Sequence, residues 1–113
     1  KPSVVLADSQ LLYRALYNLL ANAIHYGLPN TTISLSVDSD QQMRAVRLSI
    51  ANEGVIDPQF LPFIFDRLSR AENARSEDGS GLGLSIVKAI VNAHNWRILV
   101  ESEKRTRFCI HFI

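Results

Sequence analysis

Little in this chain can carry redox or metal chemistry. Its 113 residues contain one cysteine, Cys109, so an intrachain disulfide is excluded, a reducing compartment fits, and a small strand residue is the simplest account of it. His25, His94 and His111 lack metal-ligand spacing, and no serine, cysteine or carboxylate sits in a nucleophile motif, which excludes a zinc or hydrolase reading. Neither sign of charge is in excess: 12 Lys plus Arg face 11 Asp plus Glu, a formal net charge of +1. Long-range attraction to nucleic acid is therefore excluded, and an anionic ligand has to be held locally. No apolar run reaches the roughly 18 residues that span a bilayer, and no basic-then-apolar leader opens the chain, so a soluble piece is expected. The abrupt opening at Lys1-Pro2-Ser3 reads as a domain cut from a longer protein. With 5 Gly, 4 Pro and 47% hydrophobic residues, the low-complexity and disordered classes are excluded, and residues 1–113 are read as one domain with one core.

The patterning that is present alternates between two periods. Val4 to Ala7 is a short apolar run read as a strand, and Asp8 offers an N-cap acceptor where a helical pattern begins. Leu12, Leu16, Leu19, Leu20, Ala23 and Ile24 then recur at helical spacing until Gly27 and Pro29, which predicts a helix over 9–26. Thr31 to Val37 and Ala45 to Ala51 alternate with period two around a polar turn and read as an antiparallel pair. A short helical turn is expected near Phe60 to Phe65, followed by a polar loop, Ser69 to Ser80. Leu84, Val87, Ile90 and Val91 predict a second helix over 82–95, and strands at Arg97 to Glu101 and Thr106 to Ile113 finish the chain. The order β-α-β-β-loop-α-β-β predicts an α+β fold, a mixed sheet with helices on one face.

Three polar clusters can carry chemistry. At about 100° per residue, Asn18, Asn22 and His25 fall on one edge of the first helix, beside the leucine stripe. Carboxamide oxygens four residues apart are neutral hard ligands of the kind Mg²⁺ accepts while keeping its waters, although the pair alone is more often a solvated helix face. Gly79-Ser80-Gly81-Leu82-Gly83 opens the second helix, where glycines admit phosphate to free amides and the positive end of the dipole. The spacing is neither that of a P-loop nor of a dinucleotide fingerprint, and a flexible hinge accounts for it equally well. Asn52-Glu53-Gly54 ends a strand, as a turn or as a ligand-facing group. Arg67 and Arg70, at the head of the polar loop, have the chemistry to close over phosphates.

Taken in order, Asn18-Leu-Leu-Ala-Asn22-Ala-Ile-His-Tyr26-Gly27, Asn52-Glu-Gly54, Phe65-Asp-Arg-Leu-Ser-Arg70 and Gly79-Ser-Gly-Leu-Gly-Leu-Ser-Ile-Val-Lys88 resemble the asparagine, first glycine, phenylalanine and second glycine boxes of the catalytic ATP-binding domain of bacterial sensor histidine kinases. The wider superfamily holds gyrase, Hsp90 and MutL. Leu61-Pro-Phe-Ile-Phe-Asp-Arg67 favours the sensor kinases and, more loosely, their heavy-metal-sensing branch. The resemblance implies a two-layer α/β sandwich, about three helices on a mixed sheet, with ATP and Mg²⁺ between the asparagine helix and a mobile lid over residues 66–82. It puts Asn22 on Mg²⁺, Asn18 beside the phosphates, His25 facing phosphate, Tyr26 against the base, and Arg70 and Arg67 at the terminal phosphates. Gly79, Gly81, Leu82, Gly83 and Leu84 would form the lid end and phosphate cradle, with Gly54 in the first glycine box and Thr106 near adenine.

Several positions depart from that pattern. Asn52 stands where aspartate takes the adenine amine, one residue is missing from that box, and Val55 replaces its second glycine. An aspartate at 52 is accordingly expected to tighten adenine nucleotides. His94-Asn95-Trp96 stands in place of His-Gly-Gly, Arg105 in place of a glycine, and Leu68 in place of an aromatic. The resemblance further implies a phosphoacceptor histidine on a separate dimerisation hairpin, a response regulator downstream, a membrane sensor upstream with this domain on its cytoplasmic face, and a homodimeric full-length kinase. The isolated chain is expected to be a monomer that binds ATP without phosphorylating itself. An ATP hydrolase is disfavoured because asparagine at 18 is a poor general base. A degenerate, non-catalytic nucleotide-binding module is the rival from another class.

Overall fold

The computed structural model describes residues 4–40, 42, 45–66 and 83–112. The elements are α1 (Ser9–Tyr26), β1 (Ile33–Asp40), β2 (Ala45–Glu53), a 3-10 turn (Leu61–Phe63), α2 (Gly83–Ala93), β3 (Arg97–Ser102) and β4 (Arg105–Phe112). The strands form one sheet in the order β1-β2-β4-β3, with antiparallel neighbours throughout. The two helices lie on one face of it, in the α+β two-layer arrangement expected.

Local chemistry explains where α1 begins and ends. The Asp8 carboxylate accepts from the Gln10 and Leu11 N–H groups at 3.0 and 3.1 Å, the N-cap predicted. At the other end the Gly27 N–H reaches the Ala23 carbonyl at 2.9 Å, and a Cβ on residue 27 would stand 2.6 Å from that same oxygen. Only glycine lets the chain leave the helix so close to its last turn.

The sheet's inner face is written by its register. Leu48 pairs with Ile110 and Ile50 with Phe108, while Ile98 joins Ile110 from β3, so these side chains point together under the helices. Ala15, Leu19 and Ala23 of α1 and Leu84, Val87, Ile90 and Val91 of α2 close over them, with Trp96 and Phe112 at one end. Each such leucine, isoleucine or valine removed from water contributes about 1.5–3 kcal/mol. Cys109 is a buried β4 residue, as read from the sequence, with Sγ 3.5 Å from His111 Nε2.

Four details differ from expectation. Val4 to Ala7 joins no ladder: Val5 and Ala7 pack on the core, but Val4 and Leu6 are 80% and 96% exposed, because no described strand lies beside this run to take its backbone groups. The sheet is antiparallel rather than mixed, and the parallel component is reduced to an isolated bridge between Gly54 and Arg105. Among the described residues there are two α-helices and one 3-10 turn where three helices were implied; the expected lid, residues 66–82, lies outside the described residues except for Asp66. Finally, α2 ends at Ala93. Its C-terminus is closed by Trp96 N–H to Val91 O and Asn95 N–H to Asn92 O, both 3.0 Å, with Asn95 at φ +60°. Asparagine is the residue that best replaces glycine in this left-handed position, which is why Asn95 is tolerated where the family pattern has glycine.

Candidate nucleotide site

Where α1 gives way to Gly27, its last turn lies across the ends of β2 and β4. The Leu28 N–H is held by Glu53 O at 3.1 Å, which fixes the helix exit to the strand end. A cavity of about 230 Å³ opens at this seam. Asn22 and Tyr26 line it from the helix, Asn52 and Thr106 from the sheet, Gly54 to Asp57 from the following loop, and Phe60 and Ile64 from the segment around the 3-10 turn.

The polar groups of the cavity are unequally engaged. Asn52 is 4% exposed, and its Nδ2 donates to Glu53 O at 2.9 Å, an assignment the carbonyl dictates; among the described residues its oxygen takes no hydrogen bond. Thr106, directly opposite it on β4, is 3% exposed and donates to Gly54 O at 2.9 Å. Gly54 itself sits at φ +111°, a conformation that disfavours any side chain, and its Cβ position is crowded by the Tyr26 carbonyl at 3.3 Å. The glycine of the first box is therefore required by backbone conformation here. Apolar walls come from Tyr26, Val55, Ile56, Phe60 and Ile64, the composition of a slot for a flat ring with a few polar groups at one end.

Five of the residues singled out in the sequence thus meet around one cavity: Asn22, Tyr26, Asn52, Gly54 and Thr106. Asn18, half-buried, and His25, exposed, lie on the same edge of α1 but outside the cavity lining, with the His25 ring edge-on to Tyr26 at 4.6 Å. Gly83 opens α2. Leu84 is 1% exposed and its side chain belongs to the core, so only its backbone is left to serve a ligand. Arg67, Arg70, Gly79, Gly81 and Leu82 lie outside the described residues. The phenylalanine box anchors on the sheet through Phe65, edge-on to Phe108 at 5.9 Å with Lys88 Nζ 5.7 Å from its centroid.

Sequence reasoning missed two residues, one beside the cavity and one at the far end of α1. Ser102 lies behind Thr106, with its Oγ 2.9 Å from Thr106 Oγ1 and 2.6 Å from the Ile56 nitrogen. The only signal for it was its place opposite Thr106 across the three charged residues Glu103-Lys104-Arg105. His94, read as part of a helix face, instead ties the two helices together: Nε2 accepts from the Asp8 N–H at 3.1 Å and Nδ1 donates to Ile90 O at 2.9 Å, which selects the neutral Nδ1–H tautomer.

A family model, described as histidine kinase-, DNA gyrase B-, and HSP90-like ATPase, matches residues 7–113. The chain belongs to that family. Among curated relatives it is 41% identical over 110 residues to the sensor histidine kinase CusS of Escherichia coli K12, and 39% identical over 113 residues to the probable sensor kinase SilS of Salmonella typhimurium. Those alignments take in 94% and 96% of this chain but only 22% of each relative, so the chain spans about a fifth of their length. Among solved structures, the mycobacterial sensor histidine kinase MprB superposes with a TM-score of 0.82 at 31% identity, covering 96% of this chain and 75% of that one. The catalytic domain of histidine kinase ThkA follows at 0.78 and 29%, over 96% and 69%. This member of the family is thus an ATP-binding domain of the sensor-kinase type in sequence and in fold.

Proposed function

We propose that the chain is the catalytic domain of a sensor histidine kinase, which binds ATP in the α1/β2/β4 cavity and presents its terminal phosphate to a histidine on a separate dimerisation hairpin, for relay to a response regulator. One observation carries the reading: Asn22, Tyr26, Asn52, Gly54 and Thr106, far apart in sequence, surround a single slot. The base would lie against Tyr26 with its amine toward Asn52 and Thr106, and the phosphates would run along α1 past Asn22 and Asn18 toward the N-terminus of α2, with His25 facing them from the helix edge. Arg67 and Arg70, with Gly79, Gly81, Leu82 and Gly83, would close on them. Phosphoryl transfer asks the protein for position and charge stabilisation, which arginines and helix amides supply without a covalent intermediate.

Mg²⁺ fits the donors present. The described residues hold no cluster of three His, Cys, Asp or Glu, so Asn22 would offer one neutral oxygen to an ion whose remaining ligands are water and phosphate oxygens, as Mg²⁺ prefers. When bound, the ion would neutralise phosphate charge. The whole protein's membrane sensor, its heavy-metal class of signal, its cytoplasmic catalytic face and its homodimer belong to this proposal; no helix among the described residues is long and apolar enough to cross a membrane. Hydrolysis of the gyrase type is disfavoured by the lack of a carboxylate at position 18.

Calorimetric titration with ATP, with and without Mg²⁺, tests the reading. Asn22→Ala should abolish the Mg²⁺-dependent part of the affinity and leave the fold intact, because a half-buried polar edge residue leaves no core cavity. A folded Asn22→Ala protein with full Mg²⁺-dependent affinity would refute the metal assignment. Sedimentation should give a monomer. A non-catalytic module is the second reading, favoured by the amide at Asn52, and phosphorylation of a supplied hairpin domain in trans separates the two.

A further inference from the structure

We propose that Ser102 is a positioning residue that pins the base-side wall of the cavity and so keeps Thr106 an acceptor toward the ligand. This inference rests on the nucleotide reading above and concerns a residue to which the resemblance gives no role.

Proton counting fixes the direction of every bond. The Ile56 N–H can only donate, so Ser102 Oγ accepts from it at 2.6 Å. Gly54 O can only accept, so the single proton of Thr106 goes there, at 2.9 Å. The 2.9 Å contact between the two hydroxyls must then be donated by Ser102. The result is a one-way chain from Ile56 N–H through Ser102 and Thr106 to Gly54 C=O. Both of its ends lie on the Gly54 to Ile56 loop, so two hydroxyls of the β3–β4 hairpin pin one wall of the cavity. Each bond polarises the next.

The consequence falls on the ligand. Thr106 Oγ1 has spent its proton and one lone pair, and presents a remaining lone pair beside Asn52, whose Nδ2 gives one of its two hydrogens to Glu53 O while its oxygen is left to accept. Two acceptors, 3% and 4% exposed, stand next to each other on paired strands. Together they suit an amine, and the Thr106 lone pair rejects a carbonyl, since an acceptor facing an acceptor in a buried slot leaves both unpaired. A 6-amino purine is therefore selected over a 6-oxo purine. Without Ser102 the Ile56 N–H loses its acceptor, so the loop that carries Gly54 O is released, the Thr106 proton loses its fixed partner, and the discrimination fades.

ADP and inosine diphosphate share sugar and phosphates and differ only on the purine edge formed by position 6 and N1, so the pair reads out the wall that faces that edge. Calorimetric titration of wild type should show preference for ADP. In Ser102→Ala, ADP binding should weaken about tenfold, the worth of one buried hydrogen bond, while inosine diphosphate changes less than about twofold. Ser102→Thr, which restores the hydroxyl, should restore the preference, and amide exchange at Ile56 should quicken in Ser102→Ala alone. Should Ser102→Ala fail to fold, Ser102→Cys, near in size and a weak donor, carries the same comparison. Equal loss of both nucleotides would reduce Ser102 to a structural residue and overturn the proposal, as would no change in either. Failure of wild type to take either nucleotide would instead overturn the nucleotide reading, and the role of Ser102 with it.

Discussion

β1 and β4 are both eight-residue antiparallel strands with alternating patterns, Ile-Ser-Leu-Ser-Val-Asp-Ser-Asp and Arg-Thr-Arg-Phe-Cys-Ile-His-Phe, yet they do different work. On β4, Phe108, Ile110 and Phe112 lie under the helices and are at most 6% exposed. On β1, Leu35 and Val37 face the same side, paired with Ile50 and Leu48, and remain 56% and 52% exposed. β1 is the sheet edge, β4 an interior strand. Period two tells which side chains share a face; whether anything covers that face is decided by where the helices land.

The sharpest way to break the comparison is to truncate both strands. Ile110→Ala should lower stability by about 2–5 kcal/mol, whereas Val37→Ala should cost under about 0.5 kcal/mol, read from denaturant midpoints. Comparable losses would mean that the edge strand is covered in solution. Next in size is Asn52→Asp. The expectation from the sequence, a tighter grip on adenine, is opposed by the structure's geometry, because the Asn52 amide donates to Glu53 O and a carboxylate would set oxygen against oxygen in a buried place. A loss of about 1–3 kcal/mol in thermal or chemical unfolding is expected, with no gain in ADP affinity. Asp8→Ala should cost about 1 kcal/mol through the lost cap on α1. Smallest is Arg47→Ala: its pair with Asp38 spans 2.9 Å, but the side chains are 44% and 64% exposed, so the change should stay within about 0.5 kcal/mol and shrink further with salt.

The same contrast explains what the sequence disclosed. Both helices were legible because their apolar positions repeat over three or more turns, and Asp8 announced the start of α1. Asn22, Asn52, Gly54 and Thr106 were singled out by the resemblance, position by position, and they line one cavity. Val4 to Ala7 was misread because an apolar run records the wish to be buried and says nothing of a pairing partner. β1 was expected to stop at Val37, but the ladder continues through Asp38–Arg47 to Asp40–Ala45, cross-strand pairs that no single strand reveals. Ser102 stayed hidden for the same reason, since a serine acquires a role only from what stands across the hairpin.

Trp96, the only tryptophan, gives the molecule a built-in optical probe. It is 7% exposed, stacked on His94 at 4.2 Å and edge-on to Phe112 at 4.6 Å, next to the start of α1, whereas the cavity lies at that helix's other end. Eighteen residues of helix separate the two by about 27 Å. Its emission will therefore shift to the red when the core opens and stay nearly constant while the cavity fills, so one cuvette can follow unfolding without interference from occupancy.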